Sequence, residues 1–262
     1  MPPAAIARST IAPLFVEPSL RVEQVSQLVL GETAAVLEQQ GEWRRLRSRH
    51  DGYEGWAHAG YLLQVEDDEA EQWRSEATGW SLGATIKIGE TRLALPLRAQ
   101  VAVEGDTIRL PDGRRGRKVE GSVPVAAVAI ATARGKAPER WALEHFSGAP
   151  YQWGGVTPWG VDCSGLVQTT FAARGITLPR DSSQQVACGA GISVDTPRPG
   201  DLLFFRGETT PAITHVAFAG EADGLVHSTV SCGGVLAESW LPGTRAAPLR
   251  ERLVAVRRME PR

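Results

Sequence analysis

The chain has 262 residues, 42% of them hydrophobic, enough material for one large domain or two to three small ones. Its 28 Lys and Arg are interspersed with 30 Asp and Glu for a formal charge of −2, so no global field is present to recruit nucleic acid or an anionic membrane, and a small or peptidic partner is favoured. The longest apolar run, Val125 to Ala133, is far short of the roughly 20 residues that a membrane helix needs.

From Met1 to Pro18 there is a single Arg and no sustained apolar stretch, which is not how a secretory signal reads. Three widely spaced cysteines, Cys163, Cys188 and Cys232, form no paired or dense disulfide pattern, and a reducing cytoplasm is the expected location. Between Pro13 and Leu63, short apolar runs alternate with turn residues such as Gly31-Glu32, Gly41-Glu42 and Asp51-Gly52, the texture of a small β-barrel. The acidic stretch Glu66 to Glu76 reads as a solvated linker. Trp80 to about Val125 repeats the barrel texture, and its Arg-rich segment, Arg109 to Lys118, reads as a solvated hairpin. The expected divisions are therefore residues 1–65, residues 66–125 with the linker, and residues 126–262.

After Val125 the period changes. Pro138 suits the first turn of a helix that carries Trp141, Ala142 and His145 at helical spacing and closes at Gly148. A loop follows from Gly154 to Gly160. Cys163, Leu166, Val167, Thr170 and Phe171 then recur at helical spacing, up to Arg174-Gly175. Segments 202–205, 214–219, 225–229, 235–239 and 253–256 read as strands. Helices followed by a run of strands predict an α+β domain.

Cys163 opens its helix directly after Asp162, a residue type suited to cap it. Unpaired N–H groups and the positive end of the helix dipole should favour the thiolate, and the same donors suit an oxyanion. Of the five histidines, His215 opens a strand whose face also carries Ala217 and Ala219, small neighbours that leave room for a sulfur. A five-residue loop centred on Glu221 would set His227 opposite His215 on the same face, as a base and its orienter. The alternatives are an inert buried cysteine with a core histidine, or a metal site built from these residues. No short paired ligand spacing supports the latter, and neither a metal nor a cofactor is expected. Cys188, in a Gly-rich loop, and Cys232, between Ser231 and Gly233, are not expected to be catalytic.

Five stretches, Tyr151-Gln-Trp-Gly-Gly155, Val161-Asp-Cys-Ser-Gly-Leu166, Arg180-Asp-Ser-Ser-Gln184, Pro199-Gly-Asp-Leu-Leu-Phe-Phe205 and Thr214-His-Val216, together resemble the NlpC-type cell-wall peptidases over about Ala137 to the C-terminus. The resemblance implies a papain-like fold with Cys163 as nucleophile, His215 as base and His227 as orienter. The N-terminal half resembles bacterial SH3-like modules. Two of these before an NlpC-type domain look like γ-D-glutamyl-L-diamino-acid endopeptidases, which trim murein peptides carrying a free N-terminal L-Ala.

By that resemblance the free amine would be held by Asp162, by Tyr53 in Asp51-Gly-Tyr-Glu-Gly-Trp56 and by Glu23, with Ser182 lining the same pocket. An ammonium group in a closed pocket needs at least one carboxylate to offset its desolvation. The expectation is a peptidase that recycles imported wall peptides. A non-catalytic peptidoglycan-binding protein is the alternative, and nothing in the sequence sets an oligomeric state.

Overall fold

Turn residues at short intervals break the N-terminal half into strands: β1 (Pro3–Ala7), β2 (Ile11–Phe15), β3 (Gln24–Val29), β4 (Thr33–Gln40), β5 (Trp43–Ser48), β6 (Glu54–His58) and β7 (Leu62–Glu66). The computed structural model describes residues 3–259. These seven strands form one sheet in the order β3-β2-β6-β5-β4-β1-β7, with Ala5, Leu14, Leu28, Leu46 and Leu62 packed in one buried cluster. The first and last strands of this segment in sequence, β1 and β7, pair through Ala5↔Gln64, and β1 precedes the Pro13–Leu63 range in which a barrel was expected.

The expected linker is instead a helix, α1 (Asp67–Glu76). Glu66 and Glu69 form a capping box at its start, and Asp67, Asp68 and Glu69 sit in the first turn, where acids complement the helix dipole. Ala70 and Trp73, three residues apart, are buried against Ala4, Ile6 and Ala102. The charge run was therefore the solvent face and N-terminus of an amphipathic helix, concealed by having only two apolar anchors.

Next come β8 (Gly79–Ile88), β9 (Thr91–Glu104), β10 (Thr107–Arg109) and β11 (Arg115–Gly121), a closed four-stranded barrel. The Arg-rich hairpin is paired outward: Arg109 binds Glu76 and Glu104, and Arg115 binds Glu104. The two β modules meet closely at Gly31, whose φ of +84° favours glycine and where a Cβ would stand 1.9 Å from the Gln100 carbonyl oxygen. Beside it, fully buried Arg98 pairs with Glu32 through two hydrogen bonds.

The chain divides into two compact units, one ending at Ala129 and the other beginning at Ile130. The division falls within α2 (Ala126–Arg134), close to the expected boundary. The second unit contains α3 (Pro138–Phe146), the short ribbon β12 (Val156–Thr157) and β13 (Gly160–Val161), α4 (Cys163–Ala173) and the short α5 (Ser182–Gln185). Its strands are β14 (Ala190–Ile192), β15 (Leu202–Arg206), β16 (Ile213–Ala219), β17 (Gly224–Thr229), β18 (Gly234–Ser239) and β19 (Leu253–Arg258), antiparallel in the order β14-β19-β15-β16-β17-β18.

All five expected strands of this unit are present, and β14, read as loop, is an added edge. One sheet face packs on α4, with Phe171 and Phe218 ring centroids 6.0 Å apart. The other face carries Phe205, Ala217, Ala219 and Trp240.

Candidate active site

Asp162 caps α4 through Oδ1, which accepts from the Gly165 N–H at 2.7 Å, while Oδ2 accepts from Gly154 N–H at 2.8 Å. Arg180, only 2% exposed, grips the same carboxylate with both Nη atoms and adds a bond to Ser164 Oγ at 2.8 Å. Close packing seats this end of the helix: a Cβ on Gly165 would lie 2.1 Å from the Gly155 oxygen. Gln185 of α5 donates to the Ser164 carbonyl at 3.1 Å, which ties the Ser182 turn to the residue after Cys163. Ser182 is buried, and the next residue, Ser183, is exposed.

The Asp162 carboxylate is thus filled by two backbone donors, a hydroxyl and a guanidinium. It caps and holds the helix that Cys163 opens, with Arg180 balancing its charge. Arg180 is its buried ionic partner. Sequence carried no local signal for it, since the two are 18 residues apart.

The Cys163 sulfur occupies a gap in the sheet. The hydrogen bonds of Ala219 run toward the β15 side, from its N–H to Asp201 O and to its O from Gly200 N–H; the alternate residues Phe218 and Val216 therefore face β17. Strands β16 and β17 are paired at Phe218↔Val226 and Ala219↔Leu225 next to the hairpin. Farther along, at Val216, the N–H donates to Cys163 Sγ, as does the N–H of Ser164.

His215 directly precedes Val216 on the strand, and its Nε2 lies 2.8 Å from His227 Nδ1. The expected register was two residues out: continuing the observed pairing sets His227 against Ala217 and His215 against Thr229. The turn Gly220–Asp223 accounts for the shift, since Ala222 and Asp223 both adopt positive φ. Because side chains alternate with period two, the slip left both imidazoles on one face, where they meet diagonally.

Burial, more than any charge, sets the resting protonation. It pushes the Cys163 thiol up to about 12; the Asp162 charge adds to this, and the Val216 and Ser164 donors and Arg180 oppose it. Burial, then His227, Arg252 and Arg245, pull His215 down to about 3. The helix start does favour the thiolate, as expected, but burial opposes it and is the larger influence, at His215 as well as at Cys163. The chemistry of the site is that of a general base removing the thiol proton as the sulfur attacks.

Other neighbours were missed. Tyr151, part of a quoted motif, has its phenol pushed up by burial and then by the nearby Cys163 and Asp162. Glu238 of β18 accepts from His227 Nε2 at 2.7 Å and is clamped by Arg245. Its position two residues beyond Leu236, which pairs with His227, was a readable signal: an acid on the histidine's own face.

Tyr53, half-buried at the start of β6, and Glu23, exposed before β3, belong to the N-terminal unit. Cys188 and Cys232 stand outside the cluster, and no disulfide links the three cysteines.

The NlpC/P60 family model matches residues 148–247, and the model of the bacterial dipeptidyl-peptidase SH3 domain matches residues 14–62. A γ-D-glutamyl-L-lysine dipeptidyl-peptidase of Bacillus subtilis is 30% identical over 225 residues, covering 78% of this chain and 71% of that protein. One of the same name from Bacillus cereus is 26% identical over 229 residues, covering 78% of this chain and 66% of the relative. The crystal structure of an NlpC/P60 family protein from Bacillus cereus shares the fold with a TM-score of 0.77 at 22% identity, across 97% of this chain and 99% of the other.

Proposed function

Since the chain belongs to the NlpC/P60 family of cysteine peptidases, we propose that it cleaves the γ-D-glutamyl–diamino-acid bond of murein peptides whose N-terminal L-Ala amine is free. The observation that carries this reading is Cys163 at the start of α4, held by two backbone N–H groups beside the linked His215–His227 pair. The names of the two Bacillus relatives point to the bond.

In this mechanism His215 takes the thiol proton while the sulfur attacks the γ-carbonyl of D-Glu. The Cys163 N–H at the helix start is a donor suited to the oxyanion. His215 returns the proton to the leaving amine. Water then hydrolyses the acyl-enzyme on Cys163 and releases L-Ala-D-Glu.

We assign recognition of the L-Ala amine to Asp162, Tyr53, Glu23 and Ser182, as the resemblance implies. We also read the β8–β11 barrel as a second SH3-like module, and the physiological role as recycling of imported wall peptides in the cytoplasm.

The test is mass spectrometry of the enzyme with L-Ala-γ-D-Glu-meso-diaminopimelate, its N-acetylated analogue and the Cys163→Ala protein. Cleavage of the free-amine peptide alone, by wild type alone, is expected. An active Cys163→Ala protein would refute the mechanism, and failure to cut either peptide would refute the substrate.

A further inference from the structure

The hydrogen bonds that leave the catalytic histidines run in one direction and end on a carboxylate. The Glu238 carboxylate is clamped by Arg245 and accepts, so His227 Nε2, 2.7 Å away, carries the proton. A neutral imidazole has one N–H, which makes His227 Nδ1 an acceptor. His215 Nε2, 2.8 Å from it, is then the donor, and the lone pair of His215 is on Nδ1.

We infer that Glu238 is a positioning residue of the catalytic relay, fixing both imidazole tautomers so that Nδ1 of His215 is the atom presented as base to Cys163. This deepens the proposed mechanism and rests on His215 being its base. Without Glu238, His227 is free to hold its proton on Nδ1 and to accept at Nε2. That arrangement turns His215 round, leaving its proton on the side where the thiol proton must go.

The carboxylate also acts once the base is loaded. When His215 Nδ1 takes the proton, the imidazolium keeps its Nε2–H on His227. Glu238 offsets the new charge through His227, with no further proton transfer. Burial keeps both histidines below their ordinary range, and the bond to Glu238 acts against this at His227.

The charged groups around the relay are few. Arg245 lies on Glu238, and Arg252 and Glu208 join both histidines around a cavity of about 330 Å³. On the far side, Glu139 and Arg140 of α3 and Glu221 of the hairpin share a cavity of about 410 Å³ with Glu238.

The experiment measures kcat and KM against pH for the full-length wild type, Glu238→Ala and Glu238→Gln on the free-amine tripeptide, with His215→Ala as reference and thermal melts as a control for folding. Glu238→Ala is expected to lower kcat by about tenfold to a hundredfold with KM little changed, a smaller loss than the 10²–10⁴ typical of removing a general base. Glu238→Gln keeps an acceptor oxygen and should recover part of kcat. Its lost charge should move the acid limb of kcat/KM to lower pH, because an imidazolium without its counter-charge deprotonates more readily.

Wild-type kcat and an unmoved acid limb in both folded variants would overturn the inference. So would a loss that follows the melting temperature alone. An active His215→Ala enzyme would instead remove the mechanism on which the inference stands.

Discussion

Cys163 is placed where two influences oppose each other: a helix start that favours the anion and a buried seat that favours the neutral thiol. With the thiol pushed up to about 12, the protonated form persists through neutral pH, and the thiolate fraction grows only as pH rises. Alkylation of the free enzyme by iodoacetamide should therefore be slow at pH 7 and rise about tenfold per pH unit to about pH 10. A rate already flat at pH 7 would mean a preformed thiolate–imidazolium pair instead. The side chains proposed as nucleophile and base were legible because each sits at a recognisable local position, a helix start and a strand start. The protonation state was not, because desolvation is decided by residues far away in sequence.

The element on which the chemistry depends is α4, and its first turn is fastened by Arg180. Breaking a buried ion pair by removing one partner typically costs about 3–5 kcal/mol, because the other charge is left buried and alone. Arg180→Met should lower the unfolding free energy of the C-terminal unit, read from urea denaturation, by an amount in that range. A drop below about 1 kcal/mol would show that the Asp162 carboxylate is satisfied by its backbone donors alone. At this scale the sequence was read well wherever apolar residues set the period, as in α4 and strands β15 to β18. It was misread at α1, where two buried anchors were outnumbered by acids, and at the β16–β17 turn, where two non-glycine residues with positive φ moved the register.

Across the whole chain, the boundary before the catalytic unit was visible as a change from period two to helical spacing. The association of the two N-terminal β modules was not, because it depends on Glu32 and Arg98, 66 residues apart. Glu32 also accepts from the Val29 N–H at 3.0 Å, so Glu32→Ala removes both the counter-charge of a buried guanidinium and the acceptor of an amide. The expected loss is about 3–5 kcal/mol, read as faster hydrogen exchange in β1 and β9 while amides of α4 keep their protection. Unchanged exchange in β9 would argue against this pair as the fastening between the modules.

The sulfur in the gap between β16 and β17 also bears on which inactive form to use for trapping a substrate. It takes the place of a rung in a ladder, receiving a Val216 N–H that a continuous strand pair would have consumed. Cys163→Ala deletes that acceptor and leaves a buried donor unmet, whereas Cys163→Ser keeps an oxygen in its place. The serine protein should melt higher and crystallise with its peptide in an undisturbed hairpin, and the alanine protein is the one in which the strands should be seen to rearrange.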